Sequence, residues 1–244
     1  MRLKKFRVLL LAAVMMILPA ASVSAAETTV PAGNGKIICI DAGHQASANL
    51  STEPVGPGAT TSKAKVAGGT HGTTTGVKES ELTLAIALKL QAILEARGYS
   101  VVMCRTSQDV NISNAERAQI ANAAGADAFI RLHADGSTST TAAGVHALAP
   151  SSTNPYCASI AAASQLLSKS VVDGQCAATG QINKGVQTND TMSGINWSQV
   201  PVTILEMGFM TNPAEDVNMS NDSYRTKMAT GIANGIDNYF TAIQ

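Results

Sequence analysis

The sequence predicts an α/β fold, a single domain with a largely parallel or mixed twisted sheet flanked by helices on both faces. Short, continuously apolar segments alternate along the chain with segments whose apolar residues recur at helical spacing. Unbroken apolar runs are typical of strands that are buried on both faces. No internal repeat or low-complexity linker divides the chain, and its length suits one domain with a sizeable core.

The strands are predicted from the apolar runs, each bounded by turn residues. The fourth run is expected nearer an edge of the sheet. The five runs are residues 36–41, 99–105, 127–135, 144–149 and 200–209.

The helices are predicted from apolar spacing and from the residues at their ends. Apolar residues recur every three or four positions from Glu79 to Arg97, and Gly98 stands where a helix stops. Ser113 and Glu116 form a capping box that opens a second helix, which Gly125 closes. Two more helices are expected over residues 158–172 and from a Ser223 cap to about Phe240.

Two long segments are predicted to lack regular structure. Residues 46–75 are rich in Gly, Ser, Thr and Pro without an apolar period, which predicts a long surface loop. Loops of this length in a compact domain are usually functional or disordered. Residues 174–197 are expected to be mostly loop.

The N-terminal segment, residues 1–26, has the features of a secretory signal peptide. Four basic residues precede an apolar run over residues 8–18, and small residues stand at the end. The run is too short for a membrane span. We expect cleavage after Ala25 or Ala26, a short leader over residues 27–35, one folded domain over residues 36–244, and a protein secreted to the cell wall, the medium or the periplasm.

Without the signal peptide the chain keeps 13 basic and 17 acidic residues, a net charge of −4. Such a surface disfavours nucleic acid and anionic membranes as partners. We expect a monomer that leaves the membrane after signal cleavage.

The four cysteines do not predict a disulfide. Cys39 and Cys104 fall within apolar runs and are interpreted as small core residues. Cys157 and Cys176 flank a predicted helix whose length would hold them far apart.

Three polar side chains stand where predicted strands end. His44 follows the first strand, His133 lies at the end of the third, and Glu206 lies near the end of the last. Because ligands in open α/β sheets bind beyond the carboxyl ends of the strands, we expect these side chains at one rim. A carboxylate in the apolar segment around Glu206 is costly to bury unless it is paired, hydrogen-bonded or functional.

Two imidazoles and a carboxylate are a common ligand set for catalytic zinc, with a further acid as the base. Glu79 begins a helix directly after the long loop and can reach the rim, although the helix dipole alone would also favour an acid there. Glu81 points about 200° away around the helix. The spacing leaves open which of the two is the ligand, and His71 and His146 are interpreted as structural.

The chain resembles the zinc-dependent N-acetylmuramoyl-L-alanine amidases of the type 3 class, from about Lys36 to Phe240. The resemblance rests on five segments in the family's order: IDAGHQ, GVKESELTLAIALKLQAILEARGYSVVMCR, NAERAQIAN, FIRLHADGS and VTILEMGFMTNPAED.

This resemblance implies a site and a reaction. One Zn²⁺ per chain would be bound by His44, Glu79 and His133, which favours Glu79 over Glu81. Glu206 would be the catalytic glutamate, acting as general base and then acid while zinc-activated water attacks an amide. The implied substrate is the bond between N-acetylmuramic acid and L-alanine in peptidoglycan.

The chain departs from the family pattern beside both histidines. Residues 41–45 read Asp-Ala-Gly-His-Gln where Asp-Pro-Gly-His-Gly is frequent, and Arg131 and Asp135 flank His133 where Ser-x-His-x-Asn is usual. These changes bear on the groups around the metal and on substrate preference. We expect Asp41 or Asp135 to orient an imidazole through its second N–H.

Two other functions are compatible with such a fold. A non-catalytic wall-binding or regulatory protein would have no need of Glu206, whereas a zinc peptidase acting on stem peptides would differ in its products. We expect residues 46–75, with Asn196 and Trp197, to border the substrate groove. Trp197 suits either stacking on a sugar or packing in the interior.

Overall fold

A computed structural model describes residues 34–244. The predicted signal peptide and nearly all of the predicted leader lie outside these residues. The strands β1 to β8 are Ile37–Ala42, Asn49–Pro54, Ser62–Val66, Ser100–Met103, Ala128–Asp135, Val145–Ala149, Asn183–Thr188 and Val202–Phe209. The helices α1 to α6 are Glu79–Ala96, Asn114–Ala123, Ala161–Thr179, Ser193–Asn196, Pro213–Ser220 and Asp222–Ala242.

Six of the strands form one mixed sheet, in the order β4-β1-β5-β8-β6-β7. Neighbouring strands are parallel except β6 and β8, which are antiparallel. The strands β1, β5 and β8 lie inside the sheet and are almost wholly buried. This arrangement confirms the predicted α/β fold with a mixed sheet.

Each face of the sheet carries its own hydrophobic core. Ile38 and Ile40 of β1 pack in the core that contains the buried faces of α1, α3 and α6. Cys39, which lies between them, points to the other face and packs with Ala118 of α2 and Ile195 of α4. Successive strand residues point to opposite faces, so an unbroken apolar run is what a doubly covered strand requires.

Helices α3 and α6 pack closely through glycines. A Cβ atom added to Gly235 would lie 2.4 Å from the carbonyl oxygen of Ser170, and one added to Gly174 would lie 2.3 Å from the carbonyl oxygen of Gly231. Glycine is therefore required where the two helix backbones approach.

Both segments predicted as loops contain regular structure. Residues 46–75 include the antiparallel pair β2 and β3, and residues 174–197 include the end of α3, strand β7 and helix α4. The reason is the same for all three strands: nearly all residues of β2, β3 and β7 are exposed or half-buried, so these strands carry polar residues and show no apolar run. Strand β7 forms the edge of the sheet. The fourth predicted run, β6, lies directly beside this edge strand.

The helix boundaries also differ from the sequence prediction. Helix α3 begins at Ala161, after a single 3₁₀ turn, and continues to Thr179. The C-terminal segment contains two helices, and Asn212 and Asn221 are their N-caps. The predicted Ser223 cap is wrong, because Ser223 donates its hydroxyl to Asn221 while Asn221 accepts from the amide of Tyr224.

All four cysteines are free thiols in this part of the chain. The sulfur atoms of Cys39 and Cys104 lie 3.7 Å apart, well beyond a disulfide bond of about 2.05 Å. Of the helices within residues 34–244, none combines the length and the apolar character needed to cross a bilayer.

Candidate metal centre and active-site cleft

Three predicted ligands meet at the carboxyl ends of the central strands. The Nε2 atom of His44 lies 3.0 Å from Oε1 of Glu79, and Nδ1 of His133 lies 3.1 Å from the same oxygen. The two imidazole nitrogens are 3.2 Å apart. His44 follows β1, Glu79 is the first residue of α1, and His133 belongs to β5, so the tertiary fold gathers residues from three elements.

The three donor atoms suit a small divalent cation. They lie within 4.8 Å of one another. Ligands placed tetrahedrally at about 2.0–2.1 Å from zinc stand about 3.3–3.4 Å apart, close to the observed separations. His44 donates through Nδ1 to the carbonyl oxygen of Ala67 at 2.8 Å, so in the neutral imidazole the lone pair of Nε2 faces the other ligand atoms. The residues therefore fit a zinc site by spacing, tautomer and chemistry.

Glu79 rather than Glu81 faces this cluster. The Oε1 atom of Glu79 accepts from the amide of Ala134 at 3.0 Å, and Oε2 accepts from the amide of Thr70 at 2.9 Å. Glu81 is exposed, and its Oε2 accepts from the backbone amide of Lys78 at 3.4 Å at the start of α1. The helix start thus decides which glutamate reaches the site.

The charge states of the cluster reflect burial and proximity. Burial disfavours the ionised form of Glu79, but hydrogen bonds from His133 and His44 outweigh it and hold its pKa well below the usual range. For His44, burial is outweighed by the bond and charge of Glu79, which raise its pKa above 6.5. Burial dominates at His133 and lowers its pKa.

His44 has a backbone conformation that few residues adopt. Its φ is 60°, in the left-handed region that disfavours non-glycine residues. Arg117 holds the strained turn by donating from Nη2 to the carbonyl oxygen of His44 at 3.0 Å. Beside it, a Cβ atom on Gly43 would lie 2.5 Å from Cε1 of His133, so only glycine permits the close approach. Strain of this kind is typical of functional sites.

Asp41 binds two arginines and no imidazole, so the expectation that it orients a ligand histidine is wrong. Its Oδ1 lies 2.6 Å from Nη1 of Arg117, and its Oδ2 lies 2.9 Å from Nε of Arg131. All three side chains are buried. Burial opposes ionisation of Asp41, but the charges of Arg117 and then Arg131 outweigh it and hold its pKa far below 3.8.

Asp135 does not orient a ligand histidine either. Its nearest imidazole contact is with His146, at 3.8 Å, which is too long for a hydrogen bond. The second nitrogen of His44 is held by Ala67 instead, and Nε2 of His133 has no partner within residues 34–244. His146 is buried beside Phe209 and stays outside the cluster, as does His71, which is exposed.

Sequence reasoning missed the role of Arg117. Besides Asp41 and His44, it donates to the carbonyl oxygen of Ala42 and to Oε1 of Gln45. This one side chain therefore holds the whole turn that follows β1. The sequence did contain a pattern that could have predicted a buried role for Arg117. This arginine lies on the same helix face as Ala118 and Ala121, which are buried.

Glu206 lies beside the cluster, opposite His133 in the pairing of β5 and β8. Its side chain lines the cleft, and no protein donor within the described range is paired with its carboxylate. Burial, together with the negative charges of Glu79 and Asp135, raises its pKa well above the usual value. A carboxyl group in this setting can exchange a proton with a bound molecule.

A cleft of about 920 Å³ opens over these residues. Residues 63–70, except Lys65, line one side of it, so part of the segment 46–75 borders this cleft. That the cleft is the substrate groove stays a prediction. Asn196 and Trp197 do not line it. Trp197 donates through Nε1 to the carbonyl oxygen of Pro54, and Asn196 is buried against Asn154. Residues 192–194, just before them, form that part of the wall.

An α/β domain with a His-Glu-His cluster and a further glutamate at the carboxyl ends of its strands has the features of a metal-dependent hydrolase. The chain belongs to the N-acetylmuramoyl-L-alanine amidase family Amidase_3, whose family model matches residues 38–238.

Similar proteins carry the same description. An N-acetylmuramoyl-L-alanine amidase of Mycobacterium tuberculosis is 29% identical over 225 residues, covering 88% of this chain and 90% of that protein. The amidase AmiA of Salmonella typhimurium is 28% identical, covering 68% of this chain and 69% of AmiA. The crystal structure of the amidase Ami1 from Mycobacterium smegmatis superposes with a TM-score of 0.77 at 27% identity, covering 85% of this chain and 98% of Ami1.

Proposed function

We propose that this protein is a secreted, zinc-dependent amidase that cleaves the bond between N-acetylmuramic acid and L-alanine in peptidoglycan. One observation carries the proposal. His44, Glu79 and His133 offer three ligand atoms within 4.8 Å of one another, and Glu206 stands on the neighbouring strand, opposite His133. Membership of the amidase family supplies the substrate class.

The metal and the protein have separate tasks in this proposal. When bound, zinc supplies a positive charge that lowers the pKa of water and polarises an amide carbonyl. His44, Glu79 and His133 hold the ion, and the carbonyl of Ala67 keeps the His44 imidazole in the tautomer that presents Nε2. Arg117 and Asp41 hold the backbone turn from which His44 projects.

Glu206 moves the proton. Its carboxylate takes a proton from the attacking water and returns it to the amine that leaves with the alanine. Two features support this role: no protein donor within the described range occupies the carboxylate, and its surroundings raise its pKa toward the range in which a carboxyl group can both accept and release a proton.

The other two functions have less support. A wall-binding or regulatory protein would gain nothing from an unpaired carboxylate in the cleft, because an ionised group there is costly to desolvate. A peptidase on stem peptides would use similar chemistry, but the named relatives are amidases. Export is supported by the signal-peptide features of residues 1–26, which lie outside the described part of the chain.

Digestion of purified muropeptides with the mature chain tests the proposal. We expect mass spectrometry to show intact peptides with N-terminal alanine and an uncut glycan. Shortened peptides would identify a peptidase, and an absence of products from a zinc-loaded sample would favour a binding protein.

The metal is tested separately. Dialysis against a chelator should abolish cleavage, and added zinc should restore it. Full activity in a sample shown by elemental analysis to be metal-free would contradict the zinc proposal.

A further inference from the structure

Arg131 lines the cleft next to the metal centre with one nitrogen uncommitted. The side chain is only 2% exposed. Its Nε donates to Asp41 at 2.9 Å, and its Nη2 donates to Asn114 at 2.6 Å. Within residues 34–244, no acceptor is paired with Nη1. The two bonds hold the guanidinium in place, and the side chain lines the cleft with Nη1 free to donate.

Gly194 lies directly against the guanidinium group of Arg131, and its lack of a side chain leaves room for this arrangement. A Cβ atom added to Gly194 would lie 1.5 Å from Nη1 and 2.2 Å from Cζ of Arg131. Both residues line the cleft. Any side chain at position 194 would therefore push the guanidinium away from its present place.

The charges around Arg131 do not cancel. Asp41 carries one negative charge and is paired with two buried guanidinium groups, those of Arg117 and Arg131. The charge of Arg131 favours the ionised form of Glu206, but no ion pair joins the two side chains in the described part of the chain, so the compensation is indirect. Lys63 adds another positive charge to the lining of the same cleft. A buried charge without a counter-ion is costly, so an anion bound here would stabilise the site.

The position of Arg131 sets the distance of such an anion from the reacting bond. Arg131 and His133 are two residues apart on one strand, so they share a face and are separated by about 6.6 Å along it. An extended peptide advances about 3.3–3.6 Å per residue. The scissile carbonyl precedes the first residue of the peptide, so a carboxyl group on the second residue lies two such advances, about 6.6–7.2 Å, beyond a carbonyl at the metal centre and would reach Arg131.

We propose that Nη1 of Arg131 binds the free carboxylate of the second residue of the stem peptide, counted from the alanine that is joined to the sugar. Arg131 is thus a specificity residue that makes stems with a free carboxylate better substrates than stems in which this group is amidated. This inference rests on the proposed amidase function, and the carboxylate supplies the counter-ion that the cluster lacks.

The test uses two muropeptides that differ only in whether that carboxyl group is free or amidated. A bond from a charged donor to a carboxylate is worth about tenfold or more in kcat/KM, so the wild-type enzyme should prefer the free form by that factor. Arg131→Gln and Gly194→Ala should each bring the preference close to one, chiefly by raising KM for the free form. Arg97→Gln, in a pair with Asp237 between α1 and α6, is the matched control and should keep the wild-type preference.

The ratio of the two kcat/KM values does not depend on how much of a variant is folded, because both substrates meet the same active molecules. A wild-type ratio near one, or a full wild-type ratio in Arg131→Gln, would overturn the inference.

Calorimetric titration measures the affinity of both muropeptides for the zinc-loaded wild type and for Arg131→Gln. This experiment tests the inference without relying on turnover. Preferential binding of the free form that disappears in the variant supports the inference, and equal binding to the wild type overturns it. Failure to cleave either muropeptide would count against the proposed function alone.

Discussion

His133 and Glu206 face each other across the parallel strands β5 and β8, although 72 residues lie between them in the sequence. Paired strands lie about 4.8 Å apart, so this register brings a candidate metal ligand and a candidate proton carrier to the same end of the sheet. The neighbouring strand β6 places His146 on the other side of Glu206, where it contacts Asp135 and stays out of the cleft.

Replacing Glu206 by Gln should abolish proton transfer and keep the metal. We expect kcat on muropeptides to fall by about 10²–10⁴-fold, the usual contribution of a general acid–base group. Zinc content measured by elemental analysis should stay at one ion per chain. Glu95→Gln, at an exposed position of α1, should leave both quantities unchanged. Substantial activity in Glu206→Gln would show that another group is the base.

The two neighbouring glutamates of α1 should behave differently. Glu79→Ala removes an oxygen that lies about 3 Å from both imidazole nitrogens, so the purified variant should lose its zinc and its activity. Glu81→Ala removes only a capping contact with Lys78 and should keep both. Retention of stoichiometric zinc in Glu79→Ala, by elemental analysis after gel filtration, would remove Glu79 from the ligand set.

Zinc affinity should rise with pH across the titration of His44. The pKa of His44 is raised above 6.5 in the metal-free protein, so below that pKa the imidazole carries a proton that zinc must displace. His133, whose pKa is lowered, contributes little to this competition in the same range. Competition with a chromogenic chelator at a series of pH values measures the effect. An affinity that is constant across the range would contradict the assignment of His44.

The buried charge of Asp41 should stabilise the fold only while it is ionised. Its folded pKa lies far below the 3.8 of the unfolded chain, so its contribution is fully present above pH 3.8 and is lost as the pH falls through the folded value. At neutral pH, Asp41→Asn should lower the free energy of unfolding by about 3 kcal/mol, because two arginines lose their buried partner. The difference from wild type should shrink below pH 3.8.

Urea unfolding at neutral pH and at a pH below 3.8 measures this difference in the free energy of unfolding. The control is Asp173→Asn, which removes an exposed pair with Lys169 and should change stability by no more than about 0.5 kcal/mol at either pH. A gap between wild type and Asp41→Asn that persists unchanged in acid would show that the charge of Asp41 is not the cause.

A methyl group between α3 and α6 should destabilise the protein. In Gly235→Ala the new Cβ would lie 2.4 Å from the carbonyl oxygen of Ser170, so the helices must move apart at a cost of about 1–3 kcal/mol. Gly68→Ala is a matched control, since a Cβ atom there meets no atom within 4 Å. Thermal unfolding of the two variants should separate them by several degrees, and equal melting temperatures would show that the interface relaxes freely.

Local sequence patterns determined the buried elements. The apolar runs of β1, β5 and β8 and the capping box of α2 predicted these elements because burial on both faces and N-terminal capping depend on residues close together in the chain. The exposed strands β2, β3 and β7 carry no such pattern, since their pairing partners rather than their own burial hold them in place.

The sequence alone determined that His44, His133 and Glu206 would stand at strand ends, because parallel strands bring their carboxyl ends to one edge. Only the tertiary structure decided that Glu79 turns toward them and Glu81 away, because that choice depends on where α1 begins relative to Thr70 and Ala134. The sequence alone could likewise not predict the hydrogen bonds from His44 to Ala67, from Arg117 to Asp41 and from Arg131 to Asn114. Each joins residues 17 to 76 positions apart, and such contacts exist only once the sheet and its flanking helices have packed.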